Sequence, residues 1–351
     1  MRSPELSSSP RNVILAGDVR EQLAQLPEDS VDTVITSPPY FQLRDYGVVG
    51  QIGLEDDIGG WVDDLRLAMH GVARVLKASG SLWLNLGDAF SRHPRFGASP
   101  KSLLLGPERL ALGLIEDGWT VRNKVIWAKT NHMPTPVRDR LSCQWEVIYL
   151  LTRQRRYFFD LDAIRVPHSS SQTRPRYRSP PRSGTVTGRP PWAGPLAGNN
   201  AGLATLKANG LVGHPLGKNP GDVWRLPPSN YRGAHRASFP ASLVKRPLLA
   251  TCPERVCREC GQPWTRSPTL IRRGVGTVGG LRKNCPCRTG WRPGLVLDPF
   301  FGAGTVGVVA EQLGRDWLGV ELNPEYVRLA EARIAAARSA RDERETEVQA
   351  A

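Results

Sequence analysis

The chain has 351 residues and a formal net charge of +14, from 47 Lys and Arg against 33 Asp and Glu. The length is ample for the buried core of one large or two modest domains, and the charge, mostly arginine, favours a polyanionic partner such as nucleic acid. No run approaches membrane-spanning length, and the Ser- and Pro-rich start lacks the apolar core of a signal peptide, so the expectation is a cytoplasmic protein with reduced thiols and no membrane partner.

Residues 1–11 read as a loose tail. Val13-Ile14-Leu15 reads as a short strand running to Gly17-Asp18, and Asp18 can cap a helix over 19–26. Val31-Asp32-Thr33-Val34-Ile35 is the apolar run of a buried strand, and it ends in Thr36-Ser37-Pro38-Pro39-Tyr40. The two prolines remove two backbone donors and leave a rigid turn with outward carbonyls. A hydroxyl stands before that turn and an aromatic ring after it. Such a turn can accept hydrogen bonds from a planar amino group while the ring lies on the face of a base, the equipment for holding a flipped nucleobase. An ordinary strand-ending turn uses the same residues, so the motif needs a partner elsewhere in the chain.

Residues 41–60, with five glycines, form a loop placed to close over a substrate. Trp61, Leu65, Ala68, Val72, Val75 and Leu76 keep helical spacing, with Gly80 as the C-terminal stop. Residues 81–86 read as a strand that ends at Gly87-Asp88, where Asp88 suits a ligand or a cap equally. Pro107 opens a helix that ends at Gly118-Trp119. Residues 121–129, 146–152 and 157–160 read as strands. His132 reads as a surface residue and Cys143 as a core one. Strands at this density, interleaved with helices, fit a mixed α/β sheet covered on both faces.

Residues 168–222 change character. Arg174, Arg176, Arg178, Arg182 and Arg189 stand among Ser, Pro and Gly with little periodicity, so the segment cannot bury enough surface to fold alone. A DNA-contacting insert and a solvated linker both fit. Order resumes at Asp222-Val223-Trp224, and a helix follows over 242–250. Five cysteines then cluster. Cys257-x-x-Cys260-Gly aims two thiolates at one point, and Cys285-Pro-Cys287 supplies another pair. The expectation is a structural zinc on Cys257, Cys260, Cys285 and Cys287, with Cys252 a spare or alternative ligand. Disulfides are the bland alternative, which a reduced setting disfavours. Four thiolates leave no open position for metal catalysis. Ile271-Arg272-Arg273-Gly274, between the pairs, suits a basic ribbon against DNA.

The partner motif is Leu295-Val296-Leu297-Asp298-Pro299-Phe300-Phe301-Gly302-Ala303-Gly304-Thr305: an apolar strand, an acid, a Gly-x-Gly turn, then a helix over 305–313 stopped by Gly314. The glycines let the backbone approach a ligand at the carboxyl edge of a parallel sheet. A second strand, 317–320, ends at Glu321, at the separation expected of an acid that reaches ribose hydroxyls. Gly307 completes a dinucleotide-like glycine pattern. However, Asp298 puts a carboxylate where a pyrophosphate would sit, which suits a cationic amino-acid moiety better. Asn323-Pro324-Glu325 starts a last helix, and the charged residues 339–351 are expected to fray.

Together the two motifs resemble the DNA amino-methyltransferases that use S-adenosylmethionine. The catalytic turn precedes the cofactor strand, similar to the permuted beta order of that family, and the resemblance spans residues 12–167 and 220–338. It implies an α/β, Rossmann-like methyltransferase fold: a mixed, mostly parallel seven-stranded sheet with helices on both faces, plus a small Cys-rich zinc insert. It also implies a division into a catalytic part at 1–167, a DNA-contacting or target-recognition region at 168–222, and a cofactor-binding part of the same domain at 223–338. The last of these carries the zinc ribbon-like insert at 252–287, and a tail follows at 339–351.

The implied reaction is methyl transfer to an exocyclic amine of a base flipped from double-stranded DNA. Ser37, Pro38, Pro39 and Tyr40 are the implied catalytic residues. The Ser37 hydroxyl and Pro38 carbonyl accept the amino hydrogens, and Tyr40 stacks on the ring. Asp298, Phe300, Gly302, Gly304, Thr305 and Glu321 form the implied cofactor site, Asp298 facing the methionine ammonium and Glu321 the ribose. Asp18, near the adenine, and Phe239 and Pro240, beside the methionine end, join that site by resemblance. Serine at position 37 points to cytosine N4, because the family's adenine enzymes mostly carry aspartate there; adenine N6 is the alternative target. RNA or a protein amide could serve as substrate instead. A catalytically silent DNA-binding module built on zinc and arginines is a rival of a different class. The family also leaves room for a cognate restriction endonuclease.

Overall fold

The computed structural model describes residues 9–132, 134–168, 214, 216–229, 239–267, 270–272 and 275–350. The chain divides into two compact units, one of Met1–Asp160, Gly221–Thr265 and Lys283–Ala351 and one of Leu161–Pro220 and Arg266–Arg282. Most of the Arg-rich stretch expected to contact DNA lies outside the described residues, as do Arg273, Gly274, Ala237 and Ser238.

The first unit is built on one sheet of β1 (Val13–Ala16), β2 (Val31–Thr36), β3 (Leu76–Leu86), β4 (Thr120–Lys129), β5 (Trp145–Thr152), β6 (Val223–Leu226), β7 (Leu295–Asp298) and β8 (Asp316–Glu321). Their order is β1-β8-β7-β2-β3-β5-β4-β6. Neighbours from β1 to β3 are parallel, β5 is antiparallel to β3 and β4, and β6 is parallel to β4. The β2 and β7 motifs are thus adjacent, with Thr33 opposite Val296. Helices α1 (Val19–Gln25), α2 (Ile58–Val75) and α3 (Gly106–Glu116) cover one face, and α4 (Ala241–Thr251), α5 (Thr305–Gln312) and α6 (Pro324–Ala350) cover the other. Strand residues alternate between the two cores: Leu295, Leu297, Leu318 and Val320 point to the first, Val296 and Trp317 to the second. Burial on both faces is why these strands read as continuous apolar runs.

Eight strands stand where seven were expected. The edge strand β6 is four residues long and followed by Pro227-Pro228, too short for its alternation to register. Its buried Trp224 lies opposite Trp127. Residues 157–160, expected as a strand, form none. Phe158 and Asp160 donate their backbone N–H groups to Ser79 and Ala250, on two different elements. Gly80 does not stop a helix. α2 ends at Val75, the chain enters β3 at Leu76, and the β2–β3 register shifts across residues 77–80. A Cβ on Gly80 would lie 2.9 Å from the Asp32 carbonyl, so only glycine lets the bulge close against β2. α6 continues to Ala350, through the tail expected to fray.

Under the sheet, Lys77 Nζ lies 2.6 Å from Asp32 Oδ1, and Asp32 Oδ2 accepts the Leu295 N–H at 2.9 Å. This buried pair ties β2, β3 and β7 into one register; breaking it would strand a charge. Among the described residues, no helix is long and apolar enough to cross a membrane.

In the second unit, Val166 and Lys218 form an antiparallel bridge, and Arg165 pairs with Asp162 at 2.6 Å. Leu270–Arg272 pairs antiparallel with Val275–Thr277.

Candidate active site

The parallel strands β2, β3, β7 and β8 present their carboxyl ends at one edge, where ligands gather in open α/β sheets. β4 ends at the same edge and the antiparallel β5 begins there. A cavity of about 380 Å³ opens at this edge. Ser37, Pro38, Pro39, Tyr40, Asp18, Phe239, Phe300, Gly302, Thr305 and Glu321 line it, so ten of the thirteen expected catalytic and cofactor residues meet in one space. Asp298, Gly304 and Pro240 do not line it.

At the turn, Trp61 Nε1 donates to the Pro39 carbonyl at 3.0 Å, fixing the second proline. The Tyr40 ring rests on Gly87, where a Cβ would come within 2.5 Å of it. The Ser37 and Tyr40 oxygens are 3.2 Å apart, and the Tyr40 hydroxyl donates to Glu146 Oε2 at 2.7 Å. Asn85 Nδ2 lies 3.2 Å from Ser37 Oγ, 2.8 Å from the Tyr40 oxygen and 2.9 Å from Glu146 Oε2. Lys129 Nζ holds the other Glu146 oxygen at 2.5 Å. Burial first, and the Glu146 charge second, push the Tyr40 phenol well up, so it stays a neutral donor. Asn85, Lys129 and Glu146 also line the cavity, and sequence reasoning missed all three.

At the other end, Gly302 and Gly304 adopt φ of +52° and +73°, the left-handed region in which a side chain is strained. Gly304 caps α5. Glu321 Oε2 accepts the Gly302 N–H at 2.7 Å and Oε1 the Asn323 N–H at 2.8 Å. Each oxygen keeps a lone pair for a further donor. Burial raises the Glu321 carboxyl, and those amides pull it back. Asp298 is 1% exposed. Its Oδ1 accepts the Thr36 hydroxyl at 2.7 Å and the Phe300 N–H at 3.1 Å, and burial raises its carboxyl to about 8. Phe301 stacks on Trp317, and both it and Phe300 line the cavity.

Asp18 caps α1 through the Arg20 N–H at 2.8 Å, and the Arg20 guanidinium holds its carboxyl below the usual range. Capping and cavity lining therefore coexist at that residue. Pro240 precedes α4 as its N-cap, with Phe239 reaching the cavity. The loop over 41–57 supplies Leu43, Arg44 and Tyr46 to the wall. Tyr46 meets Tyr326 of α6 edge to face at 6.2 Å.

Away from the cavity, Val256–Cys257 pairs with Trp291–Arg292 and brings the two cysteine pairs together. The sulfurs of Cys257, Cys260, Cys285 and Cys287 lie within 4.8 Å of one another. Four thiolates on a tetrahedral ion at about 2.3 Å sit roughly 3.8 Å apart, so this donor set fits one soft metal with small adjustment. Cys252 lies apart, 1% exposed at the end of α4, where a Cβ on Gly294 would touch its sulfur at 3.1 Å. Burial pushes its thiol up, as for a core residue. Cys143, expected in the core, is exposed, because it falls in the loop before β5.

A family model described as DNA methylase matches residues 31–332. The Type II methyltransferase M.SmaI of Serratia marcescens is 32% identical over 343 residues, covering 92% of this chain and 90% of its own. M.SfiI of Streptomyces fimbriatus is 30% identical, covering 93% and 91%. Two solved structures share the fold. PvuII DNA methyltransferase (cytosine-N4-specific) matches with a TM-score of 0.56 at 18% identity, over 93% of this chain and 87% of that one. A candidate DNA modification methylase of Thermus thermophilus, solved with S-adenosyl-L-methionine, matches with a TM-score of 0.50 at 22% identity, over 93% and 95%.

Proposed function

The chain belongs to the DNA methylase family whose model spans residues 31–332 and is a DNA methyltransferase, and from that premise we propose that it methylates the exocyclic N4 of a cytosine flipped out of double-stranded DNA, with S-adenosylmethionine as donor. The observation that carries the reading is that the Ser37 turn and the Gly302 turn wall one cavity.

S-adenosylmethionine supplies a methyl group on a positively charged sulfur. Gly302 would give it room to lie against backbone, Gly304 lets the turn pack on Ala330 and Phe301, Glu321 would hold its ribose hydroxyls, and Asp298, buried just behind the wall at Phe300, would meet its ammonium where that wall yields. Phe300, Thr305, Phe239 and Asp18 complete that end, with Pro240 fixing the entry to α4. The base sits between Tyr40 and the prolines. Asn85 donates to Ser37 Oγ, and the serine's own hydrogen points to the Tyr40 oxygen, so one Ser37 lone pair remains for an amino hydrogen of the base. The Pro38 carbonyl accepts the other. Both bonds draw the nitrogen lone pair out of ring conjugation and toward the methyl.

As the nitrogen–carbon bond forms and the sulfur–carbon bond breaks, the nitrogen carries a surplus proton. That proton passes to Ser37, the serine's to Tyr40, and the tyrosine's to Glu146, 2.7 Å away. Lys129 pairs with the other Glu146 oxygen and holds that carboxylate in place. Orientation and preorganised dipoles provide most of the acceleration.

Around this core we assign residues 1–167 to catalysis, 168–222 to target recognition, 223–338 to cofactor binding, and a structural zinc to the four clustered cysteines. The Type II relatives support a role in a cytoplasmic restriction–modification pair, protecting DNA from a cognate endonuclease.

The test is mass spectrometry of nucleosides from DNA treated with purified enzyme and methyl-labelled cofactor. Label in N4-methylcytosine is the expected result. Label only in N6-methyladenine overturns the cytosine assignment, and label in neither base overturns the reaction as well. Ser37→Ala should lower turnover by about a hundredfold while leaving cofactor affinity nearly unchanged.

A further inference from the structure

A base that leaves the duplex opens a gap in the stack, and DNA-distorting proteins insert apolar side chains between base steps. The loop between β4 and β5, residues 130–144, carries a side chain mounted for that purpose. Leu141 is 90% exposed. A single exposed leucine needs no explanation by itself; the mounting of this one does.

Both ends of its loop are walls of the cavity, at Lys129 and Glu146, so the loop rises from the edge of the sheet that holds Ser37. Its neck is closed by the Lys129 N–H on the Gln144 carbonyl at 2.8 Å and by the His132–Gln144 side-chain contact at 3.0 Å. Near the tip, the Arg140 guanidinium lies 3.8 Å over the Phe90 ring and donates to the Leu141 carbonyl at 3.0 Å. Asp139 is paired with Lys101 at 2.7 Å. Two side-chain contacts, Arg140 on Phe90 and the exposed Asp139–Lys101 pair, thus link the tip to the loop after β3, and Arg140 carries that link to the Leu141 carbonyl while the leucine side chain stands out in solvent. Exposed Arg138 stands three residues before it.

Val49 is the rival, 99% exposed at the tip of the 41–57 loop. That loop carries Asp45, Glu55, Asp56 and Asp57 against Arg44, a net negative charge that phosphates repel.

We propose that Leu141 is the wedge that enters the base stack beside the target, with Arg138 on a flanking phosphate and Arg140 keeping the loop in shape. This rests on the DNA methyltransferase reading above. The test first maps the recognition sequence by sequencing DNA that the wild type has methylated. Single-turnover rates are then measured on duplexes with the target base paired or mismatched.

Leu141→Ala should be slower by about tenfold or more on the paired duplex and within about twofold of wild type on the mismatched one, because a mismatch lowers the cost of extrusion. Cofactor affinity should not move, and Leu141→Met should restore most of the rate. Equal loss on both duplexes, or no loss on either, overturns the wedge. The paired-only loss at Val49→Ala and not at Leu141→Ala also overturns it. A wild type that labels no DNA brings down the underlying reading and the wedge with it; a labelling wild type with an indifferent Leu141→Ala brings down the wedge alone.

Discussion

Asp298 is a carboxyl group at the end of a cofactor strand that burial holds at about 8, far above the ordinary 3.8. With no cation beside it, the group is mostly protonated at pH 7. Because its folded pKa is raised, its contribution to stability is fully present below about 3.8 and is lost progressively from there as pH rises through about 8. An ammonium beside it reverses the balance and favours the carboxylate. Binding of S-adenosylmethionine at pH 7 should therefore release about one proton from Asp298. Calorimetry in buffers of different ionisation enthalpy measures that release, and Asp298→Asn should abolish it. Equal release from both proteins would sink the pairing of Asp298 with the ammonium. The sequence singled out Asp298 because it stands beside a Gly-x-Gly turn, and Ser37 because it stands beside two prolines; the structure puts Ser37 on the cavity wall and buries Asp298 behind it. Asn85, Lys129 and Glu146 were not legible in the sequence. Their contacts with the turn and with each other join β3, β4, β5 and Tyr40, with separations of 45, 61 and 106 residues among them, and no local spacing records such a meeting.

The same distinction governs the elements. Strands buried on both faces, such as β7 and β8, announce themselves as apolar runs, and helices with glycine or proline at their ends announce their limits. β6 does not, because an edge strand of four residues is defined by its partner β4 more than by its own pattern. Gly80 misled for a related reason: a glycine that suits a helix end suits a β-bulge equally. The cysteine lobe was legible because metal ligation needs short spacings that the sequence displays directly. If one zinc ion sits on Cys257, Cys260, Cys285 and Cys287, its binding free energy is part of the folding free energy of that lobe. Cys257→Ser and Cys285→Ser should each lose the metal and at least ~2 kcal/mol of stability. Cys252→Ser should keep the metal, since its sulfur packs under Gly294 and stands outside the cluster. Elemental analysis and denaturant melts check both statements. A wild-type protein without zinc would refute the metal, and loss of zinc from Cys252→Ser would refute the ligand set.

On the scale of the whole molecule, the order of the motifs along the chain matters less than their order in the sheet. Thr33 and Val296 are partners across β2 and β7 although 263 residues separate Asp32 from Leu295, the next hydrogen-bonded pair. That adjacency is what lets a permuted chain assemble the site. The net charge of +14 acts at the same scale. Exposed Arg92, Arg95 and Arg138 stand on the loops after β3 and β4, at the edge of the sheet where the cavity opens. The arginines of 168–222 add to them in sequence. If these cations meet DNA phosphates, the logarithm of the association constant should fall linearly with the logarithm of salt concentration. Each lost phosphate contact should shallow the slope by about 0.9. Arg138→Ala should therefore reduce the slope by about that amount with little change in sequence preference, since a phosphate contact positions the protein without reading bases. Deleting residues 170–190, with five arginines at 174, 176, 178, 182 and 189, should reduce it several times more. Fluorescence anisotropy across a salt series measures both. An unchanged slope and affinity after the deletion would make the segment a linker, and the recognition role would then fall to the loops around the cavity.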